Sequence, residues 1–230
     1  MKTRYKLPLL LLPLLLLPFS SCKKDAAVDS YIGYNYFPLN IGHEIIYDVD
    51  SIVKNDFNLG QVDTFRYQIK EVVESYFTDN EGRETARLER YKRTDSSEPW
   101  IIHKVWTANL TLNSAEKKED NITYIKFIFP PKKNRKWNGN ARNENEEQEY
   151  KITDTHLAET VNNIPFDSVT TVLQADEDNI VYKKYEIEKY AAKAGLVYKE
   201  QFNGKYGLSG SSYVLKSYTH YTERIISYKN

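Results

Sequence analysis

From residue 36 onward the chain is dominated by alternation of apolar and polar positions. Ile45, Tyr47 and Val49 share one face of an extended segment, with Glu44, Asp48 and Asp50 largely opposite. After turn-forming residues at 55–60, Phe65, Tyr67 and Ile69 alternate with Thr64, Arg66, Gln68 and Lys70. These two runs predict a hairpin whose Phe65, Tyr67 and Ile69 face a core. Thr78-Asp79-Asn80-Glu81-Gly82 predicts a turn into a strand over 85–92. Trp100, Ile102, Trp106 and Leu110 mark a further extended run, and Ile125, Phe127 and Phe129 another, ended by Pro130-Pro131 because proline cannot continue a ladder. Residues 169–173, 180–187, 196–202 and 213–228 complete the set.

Nine or ten short strands at this spacing predict an all-β, mainly antiparallel domain. Its form is a single β-sandwich or a curved, half-barrel sheet. Helix signals are few. Residues 185–195 have some helical propensity, but Tyr185, Ile187 and Tyr190 favour strand; residues 157–162 are the one stretch expected to make a helical turn. Gly207-Leu208-Ser209-Gly210-Ser211 predicts a hairpin turn. Residues 132–149 carry a basic cluster followed by an acidic one and read as a protruding loop.

The first residues break this pattern. Lys2, Arg4 and Lys6 precede a charge-free apolar run over 7–18. At 1.5 Å per residue a helix of that length spans about 18 Å, short of a hydrocarbon core of about 30 Å. Pro8, Pro13 and Pro18 disfavour a spanning helix further. A basic start, a short apolar run and small residues beyond it are the features of an export signal.

The signal ends Phe19-Ser20-Ser21-Cys22, which resembles the lipobox of bacterial lipoproteins, with Phe19 where leucine is usual. The resemblance implies cleavage by signal peptidase II before Cys22 and acylation of that residue. Residues 1–21 are then the signal peptide, and residues 22–35 the acylated Cys and a polar tether. Residues 36–230 form a single β-rich domain. Lys23 at the second mature position is similar to lipoproteins sorted to the outer membrane of Gram-negative bacteria. Lys23-Lys24-Asp25 resembles a tag for the cell surface, which leaves open the membrane face on which the domain stands. Two or three acyl chains anchor stably where one does not, at about 0.8 kcal/mol per buried CH₂.

Further likenesses run through the mature chain. Tyr36-Phe37-Pro38-Leu39, Trp137-Asn138-Gly139, Phe166-Asp167-Ser168-Val169 and Gly195-Leu196-Val197-Tyr198-Lys199 resemble a family of β-rich Gram-negative lipoproteins. In that family Gly-Val-Gly often stands where this chain has Lys193-Ala194-Gly195. The resemblance implies an antiparallel β domain on a lipid anchor and brings no activity.

Composition narrows the chemistry. The 230 residues carry 32 basic and 32 acidic side chains, so no net field recruits nucleic acid. A single Cys excludes a disulfide framework and a Cys-built zinc site. His43, His103, His156 and His220 lack metal-ligand spacing, and no catalytic elbow or phosphate loop is present. Asp48 and Asp50 are paired on one strand face, which suits acid–base work less well than an exposed, solvated face. No catalytic, cofactor or metal residues are therefore assigned. Trp137, beside a turn in the charged loop, either packs beneath that loop or contacts a partner.

These readings point to a lipid-anchored cell-envelope lipoprotein that is not an enzyme and binds an envelope protein or glycan. The alternative is a carrier or chaperone whose curved sheet encloses an apolar ligand. A roomy apolar cavity would favour the carrier; a filled interior with an exposed aromatic patch would favour the binder.

Overall fold

The computed structural model describes residues 32–56 and 61–230. Six strands follow one another in the first half: β1 (Glu44–Lys54), β2 (Val62–Thr78), β3 (Glu84–Arg93), β4 (Ile101–Leu110), β5 (Ser114–Glu119) and β6 (Ile122–Ile128). The second half holds β7 (Lys136–Asn138), β8 (Glu149–Val161), β9 (Ile164–Asp178), β10 (Tyr182–Ala191), β11 (Gly195–Ser209) and β12 (Ser212–Lys229). All twelve belong to one sheet in the order β6-β5-β4-β3-β2-β1-β12-β11-β10-β9-β8-β7, and every pairing is antiparallel. Each strand pairs with its chain neighbours, β1 pairs with β12, and the single gap lies between β6 and β7.

That gap is nearly sealed. The Ile125 amide donates to the Gly139 carbonyl at 2.9 Å, and the Trp137 indole N–H donates to the Ile125 carbonyl at 2.8 Å. The Asn143 amide reaches the Thr123 carbonyl at 2.8 Å. The result is an almost closed up-and-down barrel, the curved form of the expected class rather than a sandwich.

Twelve strands replace the expected nine or ten for a local reason. Strand β5 (SAEKKE) turns Ala115 and Lys117 inward, so its inner face carries charge and shows no apolar period. Residues 157–162, expected as a helical turn, instead end strand β8 and the turn after it. Three register shifts in the β8–β9 ladder and a left-handed His156 (φ 57°) break the alternation there. Residues 132–149 are a loop only in part, because β7 lies within them.

Ile45, Tyr47, Val49 and Ile69 are buried as the alternation requires. Phe65 is not: it is 55% exposed, a correction to the expected core face. It shares the inward parity of Ile69 but sits near the strand end, where the inner face opens to water.

One end of the barrel is plugged by the chain's own beginning. Residues 32–43 cross the proximal mouth, with a 3-10 turn at Tyr34–Tyr36, so Ile32 and Tyr34 of the expected tether already pack on the core. Tyr36 stacks on Phe127 at 5.7 Å, Phe37 lies 5.9 Å from Tyr190, and Tyr34 meets Phe129 edge-on at 4.8 Å. Gly33 starts the turn at φ 90°, and a Cβ there would meet Pro131 at 2.7 Å.

Candidate functional site

The barrel interior is built around charge. Alternate positions that would normally hold aliphatic residues instead carry Glu71 on β2, Arg90 on β3, Lys117 and Glu119 on β5, and Lys126 on β6. Glu188 on β10, Lys199 on β11 and Glu223 on β12 complete the set. Opposite charges are matched. Arg90 contacts Glu223 at 2.5 Å and Glu71 at 3.2 Å, and Lys117 holds both Glu71 oxygens at 2.8 and 2.9 Å. Lys126 contacts Glu188 at 2.6 Å and Glu119 at 3.6 Å, while Lys199 lies 3.5 Å from Glu188 and 3.9 Å from Glu119.

Tyrosines and a tryptophan line this belt. The Tyr190 hydroxyl donates to Glu188 at 2.6 Å and the Tyr221 hydroxyl to Glu223 at 2.5 Å. The Trp106 ring lies 4.1 Å from the Arg90 guanidinium. Burial pushes the Glu188 carboxyl up, but the Lys126 and Lys199 ammoniums more than offset this and hold it below the ordinary range. Glu223 is lowered in the same way, burial being outweighed by Arg90 and Lys199. For Arg90 and Lys126 burial favours the neutral form, yet their carboxylate partners raise both above their usual values. Burial raises Tyr190, with Glu188 adding to it. Arg90, Lys126, Glu188 and Glu223 thus keep their charges indoors because their partners are there.

Beside the belt lies a cavity of about 40 Å³, walled by Leu39, Val73, Leu88 and Leu196 together with Glu71 and Lys126. Such a space suits a water or two and is far too small for an acyl chain.

Few of the residues considered from sequence come together. Cys22 and the signal peptide lie outside the described residues. Trp137 sits on the β6–β7 seam, half-buried, its ring edge-on to Tyr150 at 5.8 Å and its N–H spent on Ile125; this is the packed arrangement. Asp50 is paired with Arg66 at 3.1 Å and with Arg224, and Asp48 accepts from Gln68 at 2.8 Å. The histidines are scattered, and no group of three metal-ligating side chains occurs among the described residues. Alternation did not foreshadow one small cluster: the Tyr36 hydroxyl lies 2.7 Å from His156 Nδ1 and 2.6 Å from Ser168 Oγ. Ser168 Oγ also lies 3.5 Å from His156 Nδ1, so the phenol, the serine and the imidazole form one mutually contacting cluster.

A projecting, partly apolar feature stands at the distal mouth. Strand β10 pairs with β11 only as far as Lys205, and β1 with β12 only as far as Tyr218. The β11–β12 hairpin therefore projects as a two-stranded ribbon to its turn at Gly210–Ser211. Leu208 and Tyr213, paired across it, are 62% and 54% exposed. Exposed Ile180, Val181 and Tyr182 adjoin it, the Tyr206 amide donating to the Val181 carbonyl at 2.8 Å. Lys54, the register partner of exposed Val62, donates to the Leu215 carbonyl at 2.9 Å on the other side. Exposed apolar side chains on one projecting ribbon are the chemistry of a protein contact.

No protein-family model matches the chain, and no curated protein matches it. Among solved structures it is similar to a candidate exported protein with a YmcC-like fold from Bacteroides fragilis NCTC 9343. That likeness has 12% identity and a TM-score of 0.42, over 84% of this chain and 98% of that one. A candidate lipoprotein from Parabacteroides distasonis ATCC 8503 aligns at 14% identity and a TM-score of 0.39, over 84% of this chain and 98% of that chain.

Proposed function

We propose that this protein is a lipid-anchored lipoprotein of the Gram-negative outer membrane, acylated at Cys22, whose β domain binds an envelope protein and catalyses no reaction. The observation that carries this reading is the opposition of the two mouths. The chain reaches the domain at the proximal mouth, and the projecting β11–β12 ribbon with its apolar skirt stands at the other. An anchor at Cys22 then holds the ribbon away from the bilayer, where a partner meets it. The exposed apolar side chains Leu208 and Tyr213 favour a protein over a glycan, because an apolar partner surface buries them.

The filled interior supports binding over carriage. A carrier needs an enclosed apolar volume, and this barrel holds matched ions around a cavity of about 40 Å³. The non-enzymatic reading is supported by the way titratable groups are spent on one another: Asp50 on Arg66 and Arg224, and His220 on Glu200 at 2.9 Å.

The test places a photo-crosslinking residue at Leu208 or Tyr213 in the cell-borne protein, with Ile101 on the barrel wall as control. Discrete adducts from the ribbon positions alone, lost when Leu208→Asp and Tyr213→Asp are introduced in turn, are the expected result. Acylated protein that gives the same faint pattern at all three positions would refute partner binding by the ribbon. Intact mass lacking acyl groups would refute the anchor.

A further inference from the structure

Resting on the anchored reading above, we infer that the proximal mouth of the barrel lies against the lipid surface and inserts Ile41 and Leu112 into the headgroup–acyl boundary. Three observations converge on this. Leu112, at the tip of the β4–β5 turn, is 82% exposed, and Ile41, in the turn before β1, is 66% exposed. Both stand at the mouth where residues 32–43 cross, on a rim that also carries Arg83, Glu84 and Lys193. A groove of about 980 Å³ at this mouth is walled by Tyr34, Leu39, Tyr76, Leu110, Leu112 and Lys193. Internal hydrogen bonds fix the rim: the Tyr34 hydroxyl donates to the Leu112 carbonyl at 3.1 Å, and the Tyr76 hydroxyl to the Leu39 carbonyl at 2.6 Å. Rigid turns carrying large aliphatic residues insert without first being ordered.

The leash supplies the occupant. Ten peptide links join Cys22 to Ile32, which enters at this same mouth. Fully extended they reach roughly 33–36 Å. Because the chain enters at the proximal mouth, that is the end the tether holds nearest the bilayer. A tether this short presents the rim to lipid at an effective concentration on the order of millimolar, so individually weak insertion suffices. Tyrosines behind the aliphatic tips and the exposed Lys193 on the groove wall match the depth where headgroup phosphates lie.

The experiment uses the full-length acylated protein in vesicles of phosphatidylethanolamine and phosphatidylglycerol. Nitroxides are attached at Leu112→Cys or, as the distal control, Leu208→Cys. Cys22 carries the diacylglyceryl thioether, so only the introduced thiol is labelled. The inference expects oxygen to relax the Leu112 label several-fold more, relative to a water-soluble nickel chelate, than the Leu208 label. Introducing Ile41→Asp should bring the two labels to the same ratio; both sites are exposed, so folding is not at stake. Protein that floats with the vesicles while its Leu112 label is as accessible to nickel as Leu208 overturns the docking and leaves the anchor standing. Protein that fails to float, with Cys22 open to labelling, overturns the anchor and the docking together.

Discussion

Removing the Glu188 carboxylate should destabilise the barrel more than deleting most aliphatic side chains. At 2.6 Å and an effective dielectric of about 20, its attraction to Lys126 is about 6 kcal/mol. Most of that offsets the cost of bringing both ions indoors, several kcal/mol each. Glu188→Gln keeps an oxygen for the Tyr190 hydroxyl but strands the Lys126 and Lys199 ammoniums with Glu119 as their one carboxylate within 4 Å. Breaking a buried pair in this way costs about 3–5 kcal/mol. For a domain of this size the midpoint should fall by roughly 6–20 °C. Lys126→Met alone should do similar harm by stranding Glu119 and Glu188 beside Lys199. The double variant keeps the interior balanced, with three acids facing three bases, and should recover most of the loss. Thermal unfolding followed by circular dichroism, closed into a double-mutant cycle, measures the coupling. If Glu188→Gln shifts the midpoint by less than about 2 °C, or if the double variant equals the sum of the singles, the matched-ion account of the interior is wrong.

Acid should act in two steps. Burial holds His43 below its ordinary value, so the unfolded chain takes up that proton first and stability declines gently as pH falls below about 6.5. The depressed Glu119, Glu188 and Glu223 contribute stability that is complete above about pH 4.5 and lost below it, so urea midpoints against pH should steepen there; a steady fall from pH 8 would contradict this. Ile69→Ala should cost about 2–5 kcal/mol, whereas Phe65→Ala should cost under about 1 kcal/mol, and equal losses in chemical denaturation would return Phe65 to the core. Gly139→Ala drives a Cβ into the Tyr150 ring beside the carbonyl that receives Ile125, so amide exchange at Ile125 should quicken several-fold while that at Val197 does not.

Much of the fold could be read from residues that obey one rule at a time. The alternation of Ile45, Tyr47 and Val49 gave β1 its inner face. Asp79 made its turn visible because its carboxylate accepts the Glu81 and Arg83 amides. Phe65 misled because period-2 alternation reports which face a side chain takes, not how far along the barrel it stands. The ion belt was hidden for a related reason. Glu71, Lys117, Glu188 and Glu223 occupy inward positions with side chains that normally mark the wet face, and their partners are distant in sequence. Arg90 and Glu223 are 133 residues apart, and no local pattern records such a pair. The ribbon was legible as a hairpin from its glycines, but its projection depends on where β1 and β10 stop.

The placement of the ion pairs also bears on how the barrel closes. Among the eight interior ions, the half made of β1 to β6 holds Arg90, Lys117 and Lys126 against Glu71 and Glu119. The half made of β7 to β12 holds Glu188 and Glu223 against Lys199. Each half alone thus carries an unmatched interior charge, and the two surpluses are opposite in sign. They come together along the β1–β12 ladder, where a slip of one residue would turn Glu223 to the outside and leave Arg90 with Glu71, which Lys117 already holds. Such a slip would already turn the apolar face of β12 to water; here it also removes the acid that balances Arg90, so the belt adds a charge penalty to every wrong alignment of the last strand against the first.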